Sequence, residues 1–215
     1  MGLWDPMDRT DAVALFSRFA ERWWIAGGHA IELACGRPIR RHADIDVLVL
    51  RRDQLAVQDV LSDWEWWAAD PPSTLRPWRP GERLASGVHD IWCRRTGDQP
   101  WALQVLLDES EGDDWVSRRD RSVRCPIARI GLRNGDGIPY LRPEIQLYYK
   151  AKDIRPKDTF DFDAVLPRLD PVQRRRLHAM LAATYGRAHP WCRRLEREPA
   201  LGRPNVTRRR RSSAD

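Results

Sequence analysis

Asp44 and Asp46 stand one residue apart at the head of an apolar run, Ile45, Val47, Leu48, Val49 and Leu50. Such a run reads as a buried strand. Positions i and i+2 of a strand share a face, so both carboxylates project from the same side of a sheet. Paired oxygen donors suit a hard divalent cation: Mg²⁺ keeps several waters and is held by one or two carboxylates together with substrate phosphates. Seventeen residues before Asp44, Gly27 and Gly28 open a short apolar segment that runs from His29 to Cys35. Lacking Cβ atoms, they let backbone N–H groups and a helix N-terminus approach a triphosphate. Alone, a Gly-Gly is an ordinary turn and an Asp-x-Asp a solvated strand end. Together, at this spacing, they point to a metal–triphosphate site.

The elements that must position these groups follow from periodicity. Asp8 to Asp11 is a helix-start signal, and Val13, Leu15, Phe16, Phe19 and Ala20 continue it as an apolar stripe over about 8–21. Trp23 to Ala26 reads as a strand entering the diglycine turn, followed by a helix over 29–35 that Gly36-Arg37-Pro38 ends. After the strand over 44–50, Asp53 is placed to cap a helix carrying Leu55, Val57, Val60 and Leu61, and Trp64 to Ala68 returns as a strand. Residues 70–87, rich in Pro, Arg and Ser, read as a long loop. The runs 88–95 and 101–107 form a hairpin around Thr96 to Pro100, and another strand is expected over 122–127. Past the Asn134-Gly135-Asp136-Gly137 turn the pattern becomes helical, with stripes at Ile145, Leu147, Tyr148 and Ala151, at Phe160, Phe162, Val165 and Leu166, and at Val172, Leu177, Met180 and Leu181. The fold class is therefore α+β, a mixed sheet flanked by helices. Residues 1–137 form the sheet domain, 138–202 a C-terminal helical region, and 203–215 a basic, disordered tail.

Composition narrows the classes. With 215 residues and 42% hydrophobic content the chain can bury a substantial core. No apolar run approaches the ~20 residues needed to span a bilayer, and the first residues lack the basic and apolar regions of a signal peptide, so the expected location is the cytoplasm. The net charge is +6, and residues 203–215 hold five arginines against Asp215, which leaves the body nearly neutral. That tail could touch nucleic acid or simply aid solubility, and the second reading is preferred, since a nucleic-acid partner should show a basic face within the folded part as well. Cys35, Cys93, Cys125 and Cys192, like the five histidines, are too scattered for a sequence-local zinc site and read as reduced thiols.

The pattern Trp24-Ile25-Ala26-Gly27-Gly28-His29-Ala30-Ile31, then Arg41-His42-x-Asp44-Ile45-Asp46, resembles the aminoglycoside 2''-adenylyltransferase-like branch of the polymerase-β-type nucleotidyltransferases. Pro143-Glu144-Ile145-Gln146-Leu147, Lys150 and Arg155-x-Lys157-Asp158-x-x-Asp161 are similar to the C-terminal helices of that branch. The resemblance implies a nucleotidyltransferase-type sheet, with Mg²⁺ as cofactor and ATP as co-substrate. It also implies transfer of AMP to a hydroxyl of a small molecule, as in an antibiotic-resistance enzyme that modifies an aminoglycoside-like compound.

In-line displacement at the α-phosphorus crowds anionic oxygens, and carboxylate-held metal ions neutralise them. A third carboxylate usually completes the site as metal ligand or general base, but here Gln104 stands where it is expected. Asp90 in the neighbouring strand is the favoured replacement, for catalysis and for the metal. Asp108 shares Gln104's face but lies ~13 Å along the strand. His29, Arg41 and Lys150 are further candidates for phosphate contact, each with an ordinary alternative in packing or solubility. Lys152 and Lys157 are read as facing water, and Asp158 and Asp161 as a solvated helix face or cap. Trp78 and Trp115, placed in loops, are candidates to stack on a base. The acidic stretch 108–114 would suit a cationic acceptor. Two other readings remain open: a toxin- or antitoxin-type enzyme acting on protein or RNA, and a degenerate nucleotide-binding domain without catalysis.

Overall fold

The computed structural model describes residues 2–197. Its first helix, α1 (Arg9–Phe16), leads to strand β1 (Trp23–Ile25), which runs directly into α2 (Gly27–Cys35). Gly36 closes α2 in the left-handed region at φ 67°, the conformation a helix C-terminus asks of glycine. Strand β2 (Asp46–Leu50) follows, then α3 (Gln54–Val60), β3 (Glu65–Ala69) and the short β4 (Leu75–Pro77), which lies within the segment expected as loop. Asp53 falls in a 3₁₀ turn and makes no side-chain cap to α3. Strands β5 (Asp90–Arg94) and β6 (Leu103–Glu111) form the expected hairpin. β6 then runs on into a second hairpin with β7 (Asp114–Val116), which pairs with β8 (Arg124–Pro126). After β9 (Gly131–Arg133) and β10 (Pro139–Leu141) come the helices α4 (Pro143–Lys150), α5 (Pro156–Val165), α6 (Pro171–Tyr185) and α7 (Pro190–Arg197).

The sheet has the order β4-β3-β5-β6-β2-β1-β10-β9. It is mixed: β2 runs parallel to β6 and β1 to β10, while the remaining pairs are antiparallel. One face presents Val47, Val49, Ile91, Cys93, Leu103, Val105 and Leu107, all fully buried. The alternate positions Asp46, Gln104 and Asp90 lie on the other face, because side chains alternate along each strand. Within this fold the boundary expected after residue 137 falls inside the β9–β10 hairpin. Pro139–Leu141 pairs with β9 and β1, so the sheet takes one strand from the later segment, and the helical region begins at Pro143. The basic tail, 203–215, lies outside the described residues.

Candidate active site

Asp46 is the first residue of β2, and its backbone oxygen accepts from Ala26 N–H at 2.8 Å, which brings the start of α2 against it. Gly27 takes φ +62°, a conformation that side chains rarely adopt, and a Cβ there would fall inside the Asp46 carboxylate. The glycine is therefore dictated by the acid. At Gly28 the backbone is unstrained, and a Cβ would meet the His42 ring and the end of the Arg40 side chain, which would have to shift. Both glycines belong to the first turn of α2 rather than to a loop before it. Gln146, on α4, accepts the Gly27 N–H at 2.8 Å, which leaves the N–H groups of Gly28 and His29 as the open donors of that turn.

Asp44 precedes the strand by two residues, so strand parity does not place it. Proximity does. Burial, followed by the charge of Asp44 and with a smaller contribution from Asp90, raises the Asp46 carboxyl to about 7. Register brings Asp90 beside the position of Gln104: Asp46 lies opposite Gln104 on β6, Gln104 lies opposite Trp92 on β5, and Gln104 Nε2 donates to Asp90 Oδ1 at 3.3 Å. Asp46 and Asp90 thus lie on one face, on the strands either side of β6, with Asp90 at the level of Leu106 and Asp44 close to Asp46. Among the described residues none of them has a cation within 4 Å. Three carboxylates without an ion-pair partner fit a hard cation, which would neutralise them together. Asp108 is elsewhere. It is fully buried opposite Leu50, and accepts from Trp115 Nε1 at 2.5 Å and from the Tyr149 hydroxyl at 2.7 Å.

The remaining candidates divide. His29 stacks on His42 with ring centroids 4.1 Å apart, and its Nδ1 is buried without a hydrogen-bond partner. Burial, then the neighbouring His42 charge, lowers the His29 imidazole to about 4, so it is neutral at ordinary pH. Glu32 joins the two rings, 2.9 Å from His42 Nε2 and 3.8 Å from His29 Nδ1. Chain folding thus assembles two histidines and a carboxylate that the sequence spacing holds apart, a group whose donor types could take a metal ion. Arg41 is exposed, and the arginine over the diglycine turn is Arg40, which is bound bidentately to Asp161 at 2.7 and 2.9 Å. Lys150 does point inward, but its ammonium is shared by Asp158 at 3.1 Å and Asp161 at 3.0 Å.

Asp158 and Asp161 are accordingly buried anchors, not a solvated face. Burial disfavours their ionised forms, yet Arg155 and Lys150 hold the Asp158 carboxyl below its ordinary value, and Arg40 and Lys150 do the same for Asp161. Lys157, expected to face water, lies close enough to lower the Asp46 pKa and is the cation that sequence reasoning missed. Its signal was its place inside the Arg155-x-Lys157-Asp158 pattern. Trp78 and Trp115 are core residues, 2% and 0% exposed, with their indole N–H groups given to Glu82 O and Asp108, so neither is available to a base. The acidic stretch is largely neutralised, with Asp113 the exposed residue that has no ion pair among the described residues. Asp108 is buried, Glu109 is paired with Arg51, Glu111 with Arg121 and Arg124, and Asp114 with Arg124.

Residues 10–69, which hold both the diglycine turn and the Asp-x-Asp pair, match the family model of aminoglycoside-2''-adenylyltransferase. No curated protein matches the chain in sequence. Among solved structures, the lincosamide antibiotic adenylyltransferase LnuA in its lincomycin-bound form superposes with a TM-score of 0.52 at 16% identity, covering 77% of this chain and 100% of that one. The complex of ANT(2'')-Ia with adenylyl-2''-tobramycin gives 0.49 at 13% identity, covering 79% and 92%. The family resemblance read from the motifs is therefore met by the segment that carries them, and the α+β architecture is that of the lincosamide enzyme. No helix among the described residues is long and apolar enough to cross a membrane.

Proposed function

We propose that the chain is a Mg²⁺-dependent nucleotidyltransferase that moves AMP from ATP onto a hydroxyl of a small molecule of the antibiotic class, in the cytoplasm. The observation that carries this reading is the contact between Gly27 and Asp46. A helix N-terminus with open N–H donors is pressed against the leading member of a carboxylate trio that, among the described residues, has no cation within 4 Å. The N–H groups of Gly28 and His29 would bind phosphate oxygens, helped by the positive end of α2. Lys157, near enough to lower the Asp46 pKa, would neutralise a further phosphate charge. Asp44, Asp46 and Asp90 would hold Mg²⁺, which when bound stabilises charge on the reacting phosphoryl and leaving oxygens. Asp90 would also receive the proton of the attacking hydroxyl. As the new O–P bond forms at the α-phosphorus, the bond to the bridging oxygen breaks and pyrophosphate departs.

The family match at residues 10–69 supports the reaction class, and the fold shared with a lincosamide adenylyltransferase supports a small acceptor. Gln104 keeps a second reading in view. It occupies the strand position between Asp46 and Asp90 and donates to Asp90 at 3.3 Å, an arrangement that a nucleotide-binding domain without turnover would also tolerate. Pyrophosphate release from labelled ATP with Mg²⁺, over a panel of lincosamides, aminoglycosides and tRNA, separates the two. Turnover by the wild type that Asp46→Asn abolishes supports the transferase. Tight ATP binding with no release across the panel leaves the binding domain.

A further inference from the structure

A cavity of about 490 Å³ opens beside Asp90, lined by Ser73, His89, Asp90, Arg118, Arg119 and Lys152 among others. Its place in the sheet gives it a role. Helix α2 packs against β2 and β10, whereas this cavity sits over β3 and β5, on the opposite flank of β6. With phosphates at α2 and the base at Asp90, the remaining reactant enters from the β5 side. The cavity is therefore the acceptor's, on the reading that Asp90 accepts the hydroxyl proton.

Its charge is the opposite of what a cationic acceptor needs. Two guanidiniums and an ammonium face one carboxylate. Among the described residues neither Arg118 nor Arg119 has a carboxylate within 4 Å, and the nearest acidic partner of Lys152 is Asp153 at 3.9 Å. The neighbouring arginines differ: Arg51, Arg76, Arg121 and Arg124 are all in ion pairs. The Nε atoms of both Arg118 and Arg119 are buried with no hydrogen-bond partner, and such groups are costly unless a ligand supplies one. The Arg118 guanidinium lies over the Tyr149 ring, its Cζ 4.9 Å from the centroid, and this contact restricts its position. A planar fork of N–H groups matches carboxylate and phosphate oxygens. Most of the acidic hairpin that could have attracted a polycation is already paired with arginines.

We propose that the acceptor carries an anionic group, phosphate or carboxylate, which Arg118 and Arg119 bind with help from Lys152, so that its hydroxyl is presented to Asp90. The hydroxyl oxygen bonds to the α-phosphorus, its proton passes to Asp90, and pyrophosphate leaves with the electrons of the broken bond. A polycationic aminoglycoside is disfavoured in the same cavity by like charge.

The test uses the full chain with Mg²⁺ and labelled ATP, and offers ribose 5-phosphate, gluconate, glucose, lincomycin and tobramycin as acceptors. Transfer to the phosphate or the carboxylate compound above the uncharged sugar is expected, and the two arms tell which anion is read. Arg118→Ala should raise KM for that acceptor roughly 10- to 100-fold, the cost of losing a hydrogen bond to a charged group, and leave KM for ATP in place. Lys152→Glu, at an exposed position, gives the same direction should Arg118→Ala fail to fold. Preferential transfer to tobramycin, or a rise in KM for ATP instead, overturns the proposal. Should the wild type release no pyrophosphate with any acceptor, the transferase reading itself falls. Calorimetric titration with inorganic phosphate, with Mg²⁺ and a non-hydrolysable ATP analogue present, then decides the cavity. Binding lost in Lys152→Glu supports an anion site, and equal or absent binding removes it.

Discussion

Gly27 has no side chain because the Asp46 carboxylate occupies the volume one would need, and its φ of +62° would strain any replacement. Gly27→Ala should therefore cost at least ~1 kcal/mol from the backbone alone. It should also push Asp46 out of the carboxylate trio, so activity falls further than the melting temperature suggests. Thermal melts beside kcat measurements check this, and unchanged kcat in a folded variant would count against the contact. Asp46→Asn keeps the shape and removes the charge. Because Asp46 would bind the metal itself, kcat should drop by more than the ~10–100-fold that loss of a supporting group behind a metal ligand costs. Asp90→Asn should lower kcat by ~10²–10⁴ with ATP affinity retained, which equilibrium binding and single-turnover rates would distinguish. An Asp90→Asn variant with full activity would reassign the base.

At the scale of elements, the loop ahead of β5 decides where Asp90 stands, and Arg51 holds that loop. Its guanidinium donates to Ala85 O at 2.9 Å and Val88 O at 2.8 Å, lies 3.1 Å from His89 Nδ1, and pairs with Glu109 at 2.6 Å. Arg51→Ala leaves these acceptors unsatisfied, at ~1–3 kcal/mol for each that stays buried. The melting temperature should fall and kcat with it, while KM for ATP stays near its value because α2 is untouched. Lys cannot restore a fork that serves several acceptors, so Arg51→Lys should resemble Arg51→Ala. The sequence says nothing of Arg51, whose guanidinium partners lie 33 to 58 positions away. What it did show were local devices: the glycines, the acids, and the periodic runs that became β1, β2, β5, β6 and α4 to α6. The short strands β4, β7, β9 and β10 escaped because three residues are too few to show an alternation, and they lack the adjoining diglycine turn that marked the equally short β1. The joining of His29 to His42, and of Lys150 to Asp158 and Asp161, escaped because tertiary packing makes them. Trp115 was misread for the same reason, since the acidic residues around it suggested a loop while its indole lies on Asp108.

For the molecule as a whole, the acids of the site and those of its supports push stability in opposite directions with pH. Asp158 and Asp161 are held below their ordinary range, so the stability they add is present above the unfolded carboxylate value and is lost as pH falls through their folded values. Asp46 works the other way. Buried beside Asp44, it keeps its proton up to about 7, whereas an unfolded aspartate loses it near ~3.9. Between those values the native state binds more protons than the unfolded chain, so the contribution of Asp46 declines as pH rises and is gone above about 7. A cation at the trio needs the ionised form, and binding must therefore expel that proton. In EDTA the melting temperature of the wild type should fall from pH 5 to pH 7.5, and Asp46→Asn should flatten the slope because its amide does not titrate. Added Mg²⁺ should raise the wild-type melting temperature most above pH 7 and least near pH 5, and leave Asp46→Asn unmoved. Parallel slopes for wild type and Asp46→Asn in EDTA, with equal responses to Mg²⁺, would mean that the proton sits elsewhere and that Asp46 is not where the metal binds.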